Sequence, residues 1–536
     1  MKVGAFPPFR LSAFLPFRIL TFLTLPLPIF WWGWFHWWVA LPATAALLGW
    51  LWIVNPKYCP NPNRNRVGGV TQIILLILAL AWTYLSGVGD FRPQQFDYFK
   101  HNLIFNNLVR FDWPVRYADD TYLCYYLAYY LPPALLAKWI GGISTVHWYV
   151  FGWTWLGLTL LFGELYRLGG WGLLGLFAFF NSPESILLVY EGLQSPLPLA
   201  ANLADLWNSD HAIELIFTSG GLTYPSHVES LSAVPQHAIG GWLATVLLIE
   251  KVIKNDFAAK TDGLYLLGLC AVLLHWSPFV ALGFLPFVAW YFYKILLVST
   301  LKAPFFRSIS FYFNLSTLIL FSLPVLIYYA GHLPLHDPND WLIAFLSTPH
   351  QYLLLATFLA LEVVIWGVLL GLLERKHQIL GKNAGLVALA LGILLLLPFY
   401  RYGHFNDLSR RACLPATLVL CWAIFQFLGK IKFSFVHNKT LALLWICVFL
   451  GAILPLKHTL RWFTAHPYTA VVDKSIADLT PNTIHYLSRH HWGEFDVVAQ
   501  YLGSSTATYS QVLAAGSLKK ARKIEPAFYY WKSNFK

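Results

Sequence analysis

The chain has 536 residues, of which 57% are hydrophobic, 18% aromatic and only 12% charged, with a mean hydropathy of +0.56. That composition excludes an ordinary soluble enzyme. Lys and Arg exceed Asp and Glu by 37 − 25 = 12, but the excess falls on short connections between apolar runs. It therefore points to membrane topology and anionic headgroups, and no nucleic-acid partner is expected.

In chain order, apolar runs fall at 12–30, 37–54, 70–88, 147–166, 171–189, 239–256, 262–276, 278–297, 309–330, 352–373, 384–400, 412–428 and 440–457. Their length and lack of period-2 alternation predict about thirteen transmembrane helices in an all-α polytopic protein. The first run is flanked by Arg10 and Arg18 without a small-residue cleavage site, so it reads as a retained span. Trp31 to Trp38 (WWGWFHWW) reads as an aromatic belt between the first two spans. Basic residues recur on every second connection: Lys57, Arg64 and Arg66, then Arg167, then Lys251 and Lys254, then Lys294, Lys302 and Arg307, then Arg375, Lys376 and Lys382, and finally Lys430, Lys432 and Lys439. This alternation sets the long connections 89–146, 190–238, 331–351 and 401–411 on the outer face, provided that Thr121–Gly142 does not cross. That stretch (TYLCYYLAYYLPPALLAKWIGG) reads as an interfacial helix, with its tyrosines at the headgroup belt and a break at Pro132-Pro133. The division is then a membrane domain over 1–457, with 89–146 as its first outer loop, and an outer tail or small cap over 458–536.

The polar residues gather on the outer connections. QFDYFKHN places Asp97, Lys100 and His101 just after the third run. Asp97 and His101 share one face if the segment is helical, and such a carboxylate suits a general base. The same loop holds Arg110 and Arg116; Asp112, Asp119 and Asp120 read as solvated charges, whereas Asp90 competes with Asp97 for the role of base. His237 in SAVPQHAIGGWL stands at the outer end of a span, where a histidine can bond a sugar hydroxyl or phosphate. RYGHFNDLSRRACLPA crowds Arg401, His404, Asn406, Asp407, Arg410 and Arg411 on a face where basic residues should be scarce. The planar guanidinium fork suits a phosphate, so a bound lipid phosphate is expected there.

Other signals are weaker. HWSPF (His275–Phe279) joins two spans tightly, and HDPND (His336–Asp340) matches no ligand spacing. Glu362 falls in mid-span, where an intramembrane carboxylate is a functional candidate, but the sequence offers it no partner. The six cysteines form no CxxC pair, and neither a disulfide frame nor a zinc site is indicated. No P-loop, GxGxxG or HExxH occurs, so any transferred group should come from a lipid-linked donor rather than a cytosolic nucleotide. No cofactor is called for, although a divalent metal is not excluded.

This layout resembles the GT-C superfamily of integral-membrane glycosyltransferases. The motifs are D-x-x-K-H-N at Asp97–Asn102, YYxxYYLPPALLAK at Tyr125–Lys138, PQHAIGGWL at Pro235–Leu243 and FNDLSRRACLPA at Phe405–Ala416. They look like those of bacterial members without an assigned substrate. The chain departs from the protein O-mannosyltransferase and aminoarabinose-transferase pattern in lacking a paired Asp-Glu at the start of the loop. The resemblance implies an inverting transfer at the outer face of a bacterial inner or plasma membrane, from a polyprenyl-phosphate sugar to a cell-envelope acceptor. Asp97 would be the base, Arg410 and Arg411 would hold the leaving phosphate, Lys100 or His101 would orient it or tune Asp97, and His237 would contact sugar. The rivals are a polysaccharide polymerase or ligase using a lipid-diphosphate oligosaccharide, and a lipid or solute transporter. A transporter predicts internal repeats and broken helices around a midplane site, and no convincing repeat is visible.

Overall fold

Backbone groups in apolar surroundings must be satisfied within their own segment, and helices supply nearly all the regular structure. The computed structural model describes residues 15–54, 67–186 (except 93, 95, 96 and 118–120), 222–253, 260–297, 309–332, 340–341, 346–403, 406–431, 438–464 and 501–514 (except 505, 506, 508, 510, 511 and 513). The helices open with α1 (Leu15–Thr24), α2 (Pro26–Trp34), α3 (Trp37–Val54), α4 (Gly69–Leu85), α5 (Tyr98–Arg110), α6 (Leu131–Trp139) and α7 (Val146–Phe179). Next come α8 (His227–Ala233), α9 (Pro235–Ile253), α10 (Lys260–Trp276), α11 (Pro278–Leu297) and α12 (Ile309–Tyr329). A π-helical turn, Ala360–Val364, joins α13 (Pro349–Leu359) to α14 (Ile365–His377). The last helices are α15 (Ala384–Leu396), α16 (Asp407–Ala412), α17 (Leu414–Lys430) and α18 (Lys439–Thr464).

Among the described residues, four helical stretches are long and apolar enough to cross a bilayer: Trp37–Val54, Pro349–His377, Gly381–Phe399 and Lys439–Leu460. Four further apolar helices are shorter: Gly69–Leu85, Gly263–Trp276, Leu315–Tyr329 and Leu414–Lys430. A helical membrane protein follows from these; thirteen crossings are a finer scheme than they establish. The outward surfaces are apolar, with Trp52, Val70, Ile73, Leu353, Leu396 and Phe449 all exposed, as lipid-facing surfaces are. The expected tryptophan belt divides. Trp31 and Trp34 are fully buried in the core, while Trp32, Trp37 and Trp38 face outward.

Arg167, counted among the basic connections, is buried in α7 with Nη1 2.6 Å from Glu164 Oε2 and Nη2 3.4 Å from Glu250 Oε1. The helix breaks just beyond it at Gly170, where φ of 64° suits a residue without Cβ. One expectation is corrected: Thr121–Gly142 is not one interfacial helix. Tyr122–Leu123 is a short strand, β1, and only Leu131–Trp139 is helical, with Pro132 and Pro133 opening the helix rather than breaking it. Nine residues span roughly 14 Å, less than half of a bilayer core, so this helix cannot cross. The tyrosines expected among headgroups are instead inside the protein, Tyr122, Tyr125, Tyr129 and Tyr130 all being buried. A tyrosine body is large and apolar, and hydroxyls that find partners make its burial favourable.

The tail expected to cap the outer face is described only over part of 501–514. There β4 (Leu502–Gly503) pairs antiparallel with β1, and Cys124 N–H donates to the Tyr501 carbonyl at 2.8 Å. Tyr509 Oη donates to the Trp34 carbonyl at 3.0 Å. A second short pair joins β2 (Asp340–Trp341) to β3 (Tyr400–Arg401). His404, Asp119, Asp120, residues 336–339 of HDPND, and the tail over 465–500 and 515–536 lie outside the described residues.

The short α16 is seated directly against α11. A Cβ added at Gly283 would collide with the Ala412 carbonyl, so only glycine lets the two backbones approach this closely. Gly283→Ala should lower stability by about 1–3 kcal/mol through forced displacement of α16. A lowered thermal midpoint in detergent is the expected result; an unchanged midpoint would show the contact to be loose.

Candidate functional site

Asp97 is the residue that precedes α5, yet its side chain makes no capping bond to that helix. Its carboxylate is left for other partners, in the favourable field of a helix N-terminus. Lys100 Nζ lies 3.4 Å from Asp97 Oδ1, and a third of the Asp97 side chain remains open to solvent. Burial raises the Asp97 pKa, but Lys100, Arg411, His101 and Arg410 together outweigh it and hold the group at about 2. The folded chain thus brings the loop carboxylate and the distant arginines into one electrostatic cluster.

The arginines have carboxylate partners of their own. Arg411 is buried, with Nη2 3.4 Å from Asp407 Oδ1 one helical turn earlier. Burial disfavours its charge, and Asp407, Asp97 and the Tyr126 and Tyr125 hydroxyls more than compensate, leaving its pKa raised. Arg410 Nη2 lies 3.4 Å from Glu229 Oε1 on α8. Asn406 supplies the turn that aims both arginines. It sits at φ 51°, which Asn tolerates better than most residues, and its Oδ1 accepts from Ser409 N–H at 3.4 Å and Tyr402 N–H at 3.3 Å. This carbonyl oxygen serves the backbone of α16, which is a different employment from the ligand contact expected of Asn406. Arg401 lies in β3, where its Nε donates to the Gly403 carbonyl at 3.4 Å.

His101 is buried and fully engaged. Its Nε2 is 2.9 Å from the Ala233 carbonyl, which can only accept, so Nε2 carries the hydrogen. Tyr130 Oη, 2.7 Å from Nδ1, must then donate. Burial lowers the His101 pKa to about 4, the Ala233 hydrogen bond and Asp97 only partly opposing it. The imidazole is therefore neutral and locked in one tautomer, with no nitrogen left to orient a phosphate as expected. It pins α5 to the end of α8 instead, helped by Tyr98 Oη donating to the Leu231 carbonyl at 3.4 Å. At the other end of α5, Lys138 Nζ donates to the Phe111 carbonyl at 2.5 Å.

His237 is also buried, but both of its partners are hydroxyls: Tyr126 Oη at 3.0 Å from Nε2 and Ser277 Oγ at 2.6 Å from Nδ1. Either nitrogen can carry the proton. Tyr126 is further hydrogen-bonded to Tyr125, and Tyr501 packs against Tyr125 at a ring-centroid distance of 4.6 Å. A chain of hydroxyls and imidazole thus runs from Tyr125 through Tyr126 and His237 to Ser277, within the electrostatic reach of Arg411.

Asp90 is placed in the turn after α4, exposed and with φ of 64°, and Asp112 lies exposed near Lys138. Glu229, Tyr125, Tyr126 and Tyr501 were not singled out as site residues. Ser226-x-x-Glu229 carries a capping-box spacing, and Ser226 Oγ does accept from Glu229 N–H at 3.2 Å; the spacing foretells the cap and not the ion pair. Among the described residues, no group of three or more His, Cys, Asp or Glu side chains is placed to hold a metal ion. Comparison with protein-family models, curated proteins and solved structures returns no match.

Because the folded-state pKa of His101 lies below its ordinary 6.5, its contribution to stability is complete above 6.5 and disappears as pH falls toward 4. The difference corresponds to about 3 kcal/mol at full protonation. His101→Gln should therefore lose less of its thermal midpoint than the wild type over that interval. Parallel pH profiles for the two proteins would refute the assignment.

Proposed function

We propose that the chain is a multi-pass membrane glycosyltransferase of the GT-C kind, using a polyprenyl-phosphate sugar at the outer face of a bacterial inner membrane. The observation that carries this reading is the cluster itself: a carboxylate partly open to solvent, beside two arginines and a lysine, at the edge of an apolar helical body. Polyprenyl-phosphate lipid, a sugar acceptor and membrane lipids are the partners it calls for.

In this mechanism Asp97 takes the proton of an acceptor hydroxyl as that oxygen bonds to the anomeric carbon. The bond from that carbon to the phosphate oxygen breaks with inversion, and the electron pair leaves on the phosphate. Arg410 and Arg411 stabilise the charge that develops there, with Lys100 beside them. Tyr126 supplies a hydroxyl contact to sugar, and His237, with both nitrogens engaged by Tyr126 and Ser277, positions that hydroxyl. With only the protein's own charges around it, Asp97 is too weak a base for efficient proton transfer, since a good catalytic pKa lies near working pH. The donor removes this difficulty. Once its phosphate offsets the charge of Lys100 and the arginines, burial is the largest remaining influence and raises the carboxylate's proton affinity.

Asp97→Asn should reduce transfer from a radiolabelled polyprenyl-phosphate sugar in membranes by about 10²–10⁴-fold, the range for a lost general base. Transfer at the wild-type rate would sink the assignment. Arg411→Ala should weaken binding of polyprenyl phosphate itself by about tenfold or more, the effect of losing a charged hydrogen bond. Retained affinity in a binding assay would remove the phosphate site. The acid limb of kcat, which reports the donor complex, should also lie at higher pH than that of kcat/KM, which reports the free protein. The reverse order would contradict donor-induced activation of Asp97.

A further inference from the structure

A second polar site lies away from the Asp97 cluster. Glu362 stands in the π-helical turn Ala360–Val364, buried, where the widened turn exposes its side chain to the interior. Its partner is Glu184, just past the end of α7, which is also buried and hydrogen-bonded to it. Ser182 Oγ donates to Glu362 Oε1 at 2.7 Å. The segment carrying Ser182 and Glu184 is held against α18. Ser185 Oγ donates to the Leu450 carbonyl at 2.6 Å, and a Cβ at Gly451 would strike the Asn181 carbonyl.

Two carboxyl groups in hydrogen-bond contact cannot both be ionised in such a setting; one must carry a proton. The hydroxyl of Ser182 donates to Glu362, which places the negative charge on Glu362 and the proton on Glu184. Beside the pair is a small pocket lined by Phe180, Ser182, Tyr224, His227, Glu362 and Trp366. His227 is an independent sign of a ligand. It is buried, stacked on Phe177 at 4.2 Å, and neither ring nitrogen has a hydrogen-bond partner among the described residues. Unpartnered buried nitrogens are costly unless water or another small hydrogen-bonding ligand meets them.

We propose that Glu184 and Glu362 form a proton-binding site, holding one shared proton that exchanges through water in the pocket beside His227. The titratable groups facing the pair are Tyr224, His227 and Glu229 from the segment around α8, Cys413 from the start of α17, and Lys457 and His458 from the end of α18, which flank Glu229. Glu229 acts on Glu184 and also pairs with Arg410. The proposal does not depend on the transferase reading.

The test is dicyclohexylcarbodiimide labelling of the full chain in lipid nanodiscs, mapped by peptide mass spectrometry. The carboxylic acid adds across one C=N bond of the reagent: its oxygen bonds to the central carbon and its proton goes to nitrogen. Only the protonated acid reacts efficiently. Adducts are expected on Glu184 or Glu362 at mildly acidic pH, falling about tenfold per pH unit above the site's titration point. Glu164 and Glu250, ion-paired to Arg167, are the comparison carboxyls and should label less. No adduct on the pair at any pH, or equal labelling of all four residues, would overturn the proposal. Infrared difference spectra give a readout that needs no reagent access. A protonated-acid C=O stretch should appear in the wild type and vanish in the Glu184→Gln, Glu362→Gln double variant; a band unchanged by the substitutions would overturn the proposal equally.

Discussion

A charge placed under an apolar surface must be matched, because its solvation is lost on burial and is recovered only through opposite charges and hydrogen bonds. In this protein, Asp97, Asp407 and Glu229 stand against Lys100, Arg410 and Arg411. No single pair would be strong. The contacts lie at 3.4 Å and are only partly shielded from water. It is the convergence of α5, α8 and α16 that makes the balance, and each of these short helices is held in place by other means: the tyrosine segment and α8 for α5, the Asn406 turn and the close approach at Gly283 for α16.

The tyrosine segment shows how the apolar scaffold and the polar site are one construction. Residues 122–130 bury rings on both sides of the chain and deliver their hydroxyls inward, to His101, His237 and Thr154. The C-terminal piece over 501–503 completes this layer by adding an antiparallel strand and the Tyr501 ring. The two histidines of the site differ because their partners differ. A carbonyl makes the His101 proton immobile, whereas two hydroxyls leave that of His237 free to exchange sides.

Much of this was legible because charge is rare in so apolar a chain. Asp97, Lys100, Arg410 and Arg411 stood out against their surroundings, and helical character followed from the length of the runs. The tyrosines misled, since YYLAYYLPP reads equally as a headgroup belt and as a buried layer, and only tertiary packing distinguishes the two. The partners of Arg167 were not legible either, since Glu250 lies 83 residues away in the chain. Glu184 and Tyr501 carried no local signal; their importance comes from partners far away in the chain.

Glu362 shows the same limit in its sharpest form. Alone in an apolar helix it reads as an anomaly; with Glu184 beside it, the pair requires a proton. Glu229 then stands between two electrostatic systems of opposite need. One is a cationic cluster suited to an anion, the other a carboxyl pair that must stay partly neutral. The same carboxylate thus acts on the carboxyl pair through Glu184 and on the cationic cluster through Arg410.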